Sequence, residues 1–242
     1  MNLVLDFGNT CIKAAVFDKQ KTLVEKHVFS SPNELMSHIQ SIPFIQQCII
    51  GSVTNAHIEA SEVLAQKFKT VLFTNQTFIP IQNSYKSART LGSDRLAVAI
   101  GAHSLYPNQN VLSIDAGTCI KYNFVNQQNH YLGGAISPGL SMRLKAMHHY
   151  TAALPIIETD LTFHKLVGET TAESMLSGAL LGAVAEVEGM VARYEKEYDN
   201  LVVLITGGDG NYLCEQVKKR FFADPDLLIR GLNTILDFNC EI

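Results

Sequence analysis

Residues 3–10 read LVLDFGNT, and residues 112–118 read LSIDAGT. Each stretch is an apolar run that ends in Asp-x-Gly, followed by a residue with an amide or hydroxyl side chain. The apolar run predicts a buried strand, and Asp-x-Gly predicts the turn that leaves it. A second apolar run follows each turn, over residues 11–17 and 119–125, so the sequence predicts two β-hairpins.

The repeat predicts two related lobes. Asp6 and Asp115 lie 109 positions apart, close to half of the 242 residues. Patterns typical of strands and helices alternate in both halves, which favours an α/β fold. The polar stretch YPNQN at residues 106–110 is the expected boundary, so we expect lobes over residues 1–108 and 109–242.

Periodicity and apolar runs predict the remaining elements of both halves. Further strands are expected over residues 48–53, 70–73 and 201–206. Helices are expected over residues 32–39, 58–68, 94–105, 137–150, 171–197 and 210–221.

Composition excludes several classes of protein. A hydrophobic fraction of 47% predicts a sizeable core, and a net charge of −4 argues against a generic nucleic-acid or anionic-membrane binder. No run of 18 uninterrupted apolar residues occurs, and the first six residues carry no basic leader, so we expect no membrane span and no signal peptide. Five cysteines without a CxxC pair argue against a zinc framework or dithiol redox site, and favour the cytoplasm.

The two Asp-x-Gly turns are candidate ligand sites. A carboxylate at the end of a buried strand needs a cation, a donor or a ligand, and the glycine lets backbone approach a bulky group. Asn9, Thr10 and Thr118 would add donors, so each turn is able to cradle phosphate and offer its acid to a metal. An ordinary Asx turn is the alternative, and two turns in matching contexts argue against it. Lys13 is either a phosphate contact or an exposed strand lysine.

Three more segments carry candidate chemistry. TGGDG at residues 206–210 follows an apolar strand, as expected of an adenosine contact or of a plain strand–helix loop. Asp94 in LGSDR is either a helix N-cap or a proton acceptor, and Arg95 is suited to binding an anion bidentately. Residues 131–143 would form either a wall of a small-molecule site or a structural turn.

The predicted helix over residues 171–197 carries small residues on one face. Gly178, Gly182, Ala185 and Gly189 are spaced by 4, 3 and 4 positions. Glycine costs about 1 kcal/mol relative to alanine within a helix, so these glycines need a reason. We expect close helix–helix packing inside the lobe, with a subunit boundary as the alternative.

With these segments assembled, the chain resembles the type III pantothenate kinases over nearly its whole length. The sequence contains no GxxxxGK[ST], GxGxxG, HExxH or GxSxG, which removes the basis for several other enzyme classes. The resemblance rests on an ordered set of motifs: DFGNTCIK (6–13), NSY (83–85), GSDR (92–95), DAGT (115–118), GGAISPGLSMR (133–143), GETTAESMLSG (168–178) and TGGDG (206–210).

The resemblance implies a fold and an activity. The family belongs to the acetate and sugar kinase/heat-shock chaperone/actin superfamily, with two ribonuclease-H-like lobes of mixed sheet flanked by helices and ATP in the cleft between them. It implies a cytoplasmic homodimer with pantothenate near the dimer interface. The implied reaction is ATP-dependent formation of 4′-phosphopantothenate, the first step of coenzyme A synthesis.

The resemblance also implies residue roles. Asp94 would accept the proton from the pantothenate hydroxyl, and Asp6 would organise the Mg²⁺–phosphate site. Asp115 matches the position of a monovalent cation, K⁺ or NH₄⁺. ATP would contact Asp6, Phe7, Gly8, Asn9, Thr10, Cys11, Ile12, Lys13 and Thr118. Pantothenate would contact Tyr85, Gly92, Ser93, Asp94, Arg95 and Thr171.

The chain departs from the family pattern at two places. Lys121 and Asn123 stand where the family usually has Thr and Asp, and residues 83–88 lack the prolines common around NxY. The departures bear on ATP affinity and on the cation requirement. Two alternatives stay open at this point: a kinase for another small molecule on the same fold, and a non-catalytic accessory protein.

Overall fold

A computed structural model of the chain describes residues 1–8, 11–39, 42–52, 57–217 and 221–241. The chain forms two compact units. Unit 1 comprises Met1–Pro107, Asn129–Leu132 and Asp226–Ile242, and unit 2 comprises Asn108–Gln128 and Gly133–Pro225. The C-terminal segment therefore belongs to the same unit as the N-terminus.

Twelve strands and eight α-helices are found in the described residues. In chain order they are β1 (Asn2–Phe7), β2 (Ile12–Phe17), β3 (Leu23–Phe29), α1 (Pro32–Ile39), β4 (Gln47–Ser52), α2 (Ile58–Lys67), β5 (Lys69–Leu72), β6 (Gln82–Asn83), α3 (Ser93–Leu105), β7 (Val111–Ala116), β8 (Cys119–Val125), β9 (His130–Gly133), β10 (Ile136–Pro138), α4 (Leu140–His149), α5 (Thr171–Leu176), α6 (Gly182–Glu197), β11 (Val202–Thr206), α7 (Gly210–Gln216), β12 (Phe222–Ala223) and α8 (Leu227–Glu241). A π-helical turn, Ser177–Leu181, joins α5 to α6.

Unit 1 is built on a five-stranded sheet of order β3-β2-β1-β4-β5. The central strand β1 is antiparallel to β2 and parallel to β4. Alternate residues of β1, including Leu3, Leu5 and Phe7, pack with residues of α1 and α2 such as Leu35 and Leu64. Because each strand presents alternate side chains to opposite faces, the other face of the sheet is left for α8.

Helices α3 and α8 pack at backbone contact within unit 1. A β-carbon at Gly101 would lie 1.9 Å from the Leu227 carbonyl oxygen, and one at Gly231 would lie 1.8 Å from the Ala97 carbonyl oxygen. Only glycine fits at both positions, since real β-carbons do not approach backbone so closely. The pair thereby fixes the position of α3 and of the acid at its start.

Unit 2 repeats the core of unit 1. Its strands follow the order β12-β11-β7-β8, with β7 antiparallel to β8 and parallel to β11. This is the order and direction of β5-β4-β1-β2, so the predicted duplication of the Asp-x-Gly hairpin is confirmed at the level of the sheet. Side chains from α4 to α7 cover the apolar face of β7 and β8.

Most predicted elements are confirmed, and two predictions are wrong in part. Residues 136–138 form β10 instead of the start of a helix, and α4 begins only after Pro138, which cannot donate a helical hydrogen bond. The helix predicted to residue 221 ends at Gln216, and residues 218–220 lie outside the described part of the chain. Strand β3 and helix α8 were not predicted, although Leu228, Leu232 and Leu236 recur every four residues.

The continuous helical segment Thr171–Glu197 is long and apolar enough to cross a membrane. Its apolar residues Leu180, Val187 and Val191 are fully buried in the core of unit 2, and 44% of its most apolar window is buried. Burial of these apolar residues against β7 and β8 accounts for the apolar composition of the helical segment. The segment is therefore a core helix of unit 2.

The expectation of close packing inside the lobe at the small-residue face is wrong. β-carbons built at Gly178, Gly182 and Gly189 meet no atom of the described chain within 4 Å. Gly178, Ala185 and Gly189 are exposed. The alternative, a face reserved for another subunit, is the one that the structure leaves open.

Candidate active site

The first Asp-x-Gly turn ends β1 of unit 1. Asp6 is 9% exposed and lies directly across the hairpin from Lys13. The Gly8 amide donates to the Cys11 carbonyl over 3.1 Å and closes the turn. Asn9 and Thr10, two of the predicted ATP contacts, lie outside the described residues.

Two further predicted ATP contacts of this turn have their side chains in the core. Phe7 is fully buried and Ile12 is 5% exposed, both packed in the apolar cluster of unit 1. Only their backbone groups are therefore able to reach a ligand. Cys11 and Lys13 flank Ile12 along the chain and are half-buried, and Lys13 shares the opposite face of β2 with the buried Ala15 and Phe17.

Asp94 is the second residue of α3, and the N-cap position belongs to Gly92. The N-cap interpretation of Asp94 is therefore wrong. A carboxylate in the first turn of a helix is still favoured by the helix dipole. Asp94 lines a cavity of about 10 Å³ together with Asp6, Ser52 and Ser93. The structure thus brings the two predicted acids of unit 1 to one small cavity, whose remaining walls are apolar side chains such as Phe73 and Leu232.

The oxygen-bearing side chains of this cavity suit Mg²⁺, and the cavity of about 10 Å³ has room for about one water-sized group. Its polar lining consists of carboxylate and hydroxyl side chains, and oxygen ligands are those that Mg²⁺ prefers. The donor set at Asp6 and Asp94 therefore fits the metal that the resemblance implies.

Arg95 follows Asp94 in α3, and its side chain packs against Tyr85. Its side chain is 6% exposed, and its guanidinium carbon lies 5.6 Å from the centre of the Tyr85 ring, in the geometry of a cation–π contact. Tyr85 in turn packs 6.2 Å from the Tyr131 ring, and its amide donates to the Asn83 side chain. The predicted NSY and GSDR segments therefore meet in unit 1.

The second Asp-x-Gly turn is one residue shorter than the first and is also closed by a hydrogen bond from its glycine amide. The Gly117 amide donates to the Cys119 carbonyl over 3.1 Å, and Asp115 lies directly across the hairpin from Lys121. Here the Lys121 ammonium donates to the Asp115 carboxylate over 2.9 Å. The expected site of a monovalent cation thus already holds a positive charge from the chain itself, and these residues do not fit an added K⁺ or NH₄⁺.

A pocket of about 720 Å³ opens beside the second turn, within unit 2. The second and third glycine turns both contribute to it, through Thr118 and Asp209, and α4 supplies Ser141 and Lys145. Its volume lies in the range of small-molecule and cofactor sites. Burial raises the pKa of Asp209 above its usual range.

Two glycines hold this turn against its neighbours. A β-carbon at Gly207, whose φ is +95°, would lie 2.2 Å from the Ala116 carbonyl oxygen. One at Gly139 would lie 2.0 Å from the Gly117 carbonyl oxygen. The TGGDG and GGAISPG segments therefore support the second turn by direct backbone contact, a role that only glycine allows.

A carboxylate network behind this turn was missed from the sequence. Glu186 of α6 accepts hydrogen bonds from Tyr122 and Ser137 and forms an ion pair with Arg143. Burial alone would raise the pKa of Glu186, but the hydrogen bonds from Ser137 and Arg143 outweigh it and hold the pKa below its usual range. The sequence signal for it is weak, because Glu186 is one of two acids, with Glu188, in a stretch of small and apolar helical residues.

Thr171, the remaining predicted pantothenate contact, is the first residue of α5 in unit 2. Its neighbour Thr170 is the N-cap and accepts from the Glu173 amide. The hydroxyl of Thr171 is not needed for capping, and the residue is exposed.

Comparison with known proteins agrees with this construction. A family model for type III pantothenate kinase matches residues 2–193. The type III pantothenate kinase of Christiangramia forsetii is 40% identical over 242 residues, covering 99% of both chains. A Campylobacter jejuni protein described as a Baf-family transcriptional activator superposes with a TM-score of 0.63 at 18% identity, over 99% of this chain and 100% of that one. A ROK-family glucokinase from Streptomyces griseus gives a TM-score of 0.54 at 11% identity, over 100% and 99%.

The duplicated sheet, with an Asp-x-Gly turn at the end of each central strand, defines a fold of two ribonuclease-H-like lobes of mixed sheet flanked by helices, which the glucokinase shares. The extent of the family match identifies the family within that fold. The chain belongs to the type III pantothenate kinase family. It phosphorylates pantothenate with ATP in coenzyme A biosynthesis, the activity EC 2.7.1.33.

Proposed function

We propose that Asp94 accepts the proton of the pantothenate hydroxyl as that oxygen attacks the γ-phosphorus of ATP. The observation that supports this most is the place of Asp94: the start of α3, in a cavity shared with the nearly buried Asp6. A general base must lie where the attacking hydroxyl and the phosphate meet. The rest of the catalysis would come from positioning and charge neutralisation, as in other phosphoryl transfers.

Asp6 is the proposed Mg²⁺ residue of the first turn. The metal, which the family's use of ATP implies, would neutralise charge on the β- and γ-phosphates. The backbone of residues 6–13 and the Lys13 ammonium would contact the phosphates. This assignment is supported by the backbone-closed turn at Gly8 and by the position of Lys13 across the strand pair from Asp6.

The pocket of unit 2 is the proposed site of the adenosine. Thr118 is exposed at its edge and would donate its hydroxyl to ATP. Asp209, a carboxylate on the pocket wall, is suited to accept hydrogen bonds from ribose hydroxyls. The apolar Met142 and Ala146 would contact the base, since cofactor pockets combine apolar walls with a few polar groups.

Pantothenate is the proposed ligand of the segment around α3. Arg95, oriented by the Tyr85 ring, would bind the pantothenate carboxylate, because guanidinium and carboxylate groups match bidentately. The amides at the start of α3, at Gly92 and Ser93, would contact its polar groups. Thr171 is the proposed contact from α5.

The proposed assembly is a homodimer in the cytoplasm. The open small-residue face of α6 is accompanied by two exposed apolar side chains, Leu166 and Val167. The Leu166 carbonyl accepts from Ser177, so this segment lies against the same helical run. Five free thiols suit a reducing compartment. No step of the proposed mechanism uses a monovalent cation at Asp115.

The test of the proposed base is Asp94→Asn. We expect pantothenate-dependent ADP formation to fall by about 10²–10⁴-fold with little change in the KM for ATP. Glu62→Gln, an exposed acid on α2, is the matched control and should keep wild-type turnover. Circular dichroism checks folding. Near-normal turnover of a folded Asp94→Asn protein would show that another group accepts the proton.

A further inference from the structure

The second Asp-x-Gly turn carries its own cation. Lys121 Nζ lies 2.9 Å from Asp115 Oδ2, and the side chains are only 22% and 17% exposed. A charge-assisted hydrogen bond that is partly shielded from water is stronger and less screened than a surface ion pair. The ion pair between Lys121 and Asp115 is therefore a structural element of the turn.

The strand register brings the ammonium to this place. Asp115 and Lys121 are paired Cα partners across β7 and β8, so their side chains leave the same face of the sheet. The first hairpin also pairs its turn acid with a lysine, Asp6 with Lys13, across a turn that is one residue longer. A lysine opposite the turn acid is thus part of both hairpins.

The charge on this face of β8 is set by the residues at positions 121 and 123, where the resemblance would imply Thr and Asp. Residues 121 and 123 alternate onto one face with Asp115. Thr and Asp at these positions would place two carboxylates and no base there, an arrangement that attracts a cation. This chain has one carboxylate, one ammonium and the buried, neutral Asn123. Its charge is balanced without an added ion.

We propose that the Lys121 ammonium replaces the monovalent cation at the second turn, so that the enzyme works without K⁺ or NH₄⁺. The side-chain ammonium and a bound NH₄⁺ present the same charge and the same N–H donors to Asp115. A second cation beside it would be repelled by the first. Lys121 acts as a positioning residue, through Asp115, and the inference rests on the proposed role of the second turn in binding ATP.

The test compares salts at constant ionic strength. Pantothenate-dependent ADP formation is measured with MgATP in tetramethylammonium chloride, KCl or NH₄Cl. The wild-type rate should be equal within about twofold in all three. Lys121→Ala should be at least about tenfold slower in tetramethylammonium, and K⁺ or NH₄⁺ should restore it to within about threefold of wild type. Lys121→Arg, which keeps the charge, should remain independent of the salt.

Lys26→Ala is the matched control. Lys26 forms a similar ion pair with Asp226, 2.6 Å long, which joins β3 to the segment before α8. Its loss should leave the rate unchanged in every salt. A wild-type enzyme activated fivefold or more by K⁺, a folded Lys121→Ala enzyme as fast as wild type without K⁺, or one that no cation restores would each overturn the proposal.

Thermal unfolding supplies a readout that does not depend on turnover. Because an ion that binds only the folded protein stabilises it, Lys121→Ala should melt at a higher temperature in KCl than in tetramethylammonium chloride. The wild type should melt at the same temperature in both, and a K⁺-specific rise for the wild type would overturn the proposal. Absence of pantothenate phosphorylation in every salt would contradict the proposed catalytic roles, while the melting comparison would still decide the role of Lys121.

Discussion

The carboxylate of Asp94 folds back over Gly92: a β-carbon built at Gly92 would lie 2.5 Å from Asp94 Oδ1. The backbone of Gly92, with φ −59° and ψ 131°, is accessible to any residue. The glycine therefore leaves room for the acid in this position, and the chain conformation does not require it. The two residues act as one unit, in which the absence of a side chain at one defines the rotamer of the other.

Gly92→Ala should consequently impair catalysis while leaving the fold intact. The new methyl group forces the Asp94 carboxylate to rotate, and a displacement of about 1 Å costs up to about 100-fold in rate. We expect kcat to fall by about 10- to 100-fold, with urea unfolding unchanged within about 0.5 kcal/mol. Steady-state kinetics measure kcat. An unaltered kcat would show that the Asp94 carboxylate rotates without loss of function.

Glu186→Gln should destabilise unit 2 near neutral pH. The carboxylate accepts from Tyr122 and Ser137 and pairs with Arg143, so it links β8, β10, α4 and α6. Loss of one partner in such a network costs about 1–3 kcal/mol. Urea unfolding at pH 7 measures the loss, with the exposed Glu215→Gln as the control.

The same variant should change the pH dependence of stability. Because the folded-state pKa of Glu186 lies below the ordinary value of 4.5, its charged form contributes stability above that pH. This contribution is lost as pH falls through the folded pKa. The wild type should therefore lose more stability than Glu186→Gln between pH 6 and pH 3.5. The melting temperature of each protein is measured across this pH range. Equal decreases in the two melting temperatures would contradict the assigned network.

The sequence predicts the parts of the site that depend on local order. The Asp-x-Gly turns, the hairpins and α3 follow from apolar runs and turn residues that are adjacent along the chain. Lys121 opposite Asp115 also follows, because a hairpin with a short turn fixes which residues face each other. Its ion pair could thus have been anticipated from the spacing of six residues.

The parts that were missed depend on contacts between distant segments. Helix α8 packs on α3 through Gly101 and Gly231, which are 130 positions apart, and no local pattern signals such an approach. Glu186 is joined to partners on three other elements. The face carrying Gly182 was also beyond prediction from the sequence. Spacing indicates that small residues share a face, but it does not indicate whether that face is covered by the same chain.

Gly182→Leu addresses this face directly. Leucine is favoured over glycine within a helix by roughly 0.8–1 kcal/mol, and the space around Gly182 in the described chain is open. The subunit should therefore fold with unchanged or greater stability. If the face meets the same face of a second copy, the added side chains block close approach, and light scattering should report a monomer where the wild type is a dimer. Glu215→Leu adds the same side chain at an exposed position of α7 and should leave the dimer intact. A folded, dimeric Gly182→Leu protein would place the subunit boundary elsewhere, because overpacking a close interface by several carbon atoms on each side is not tolerated.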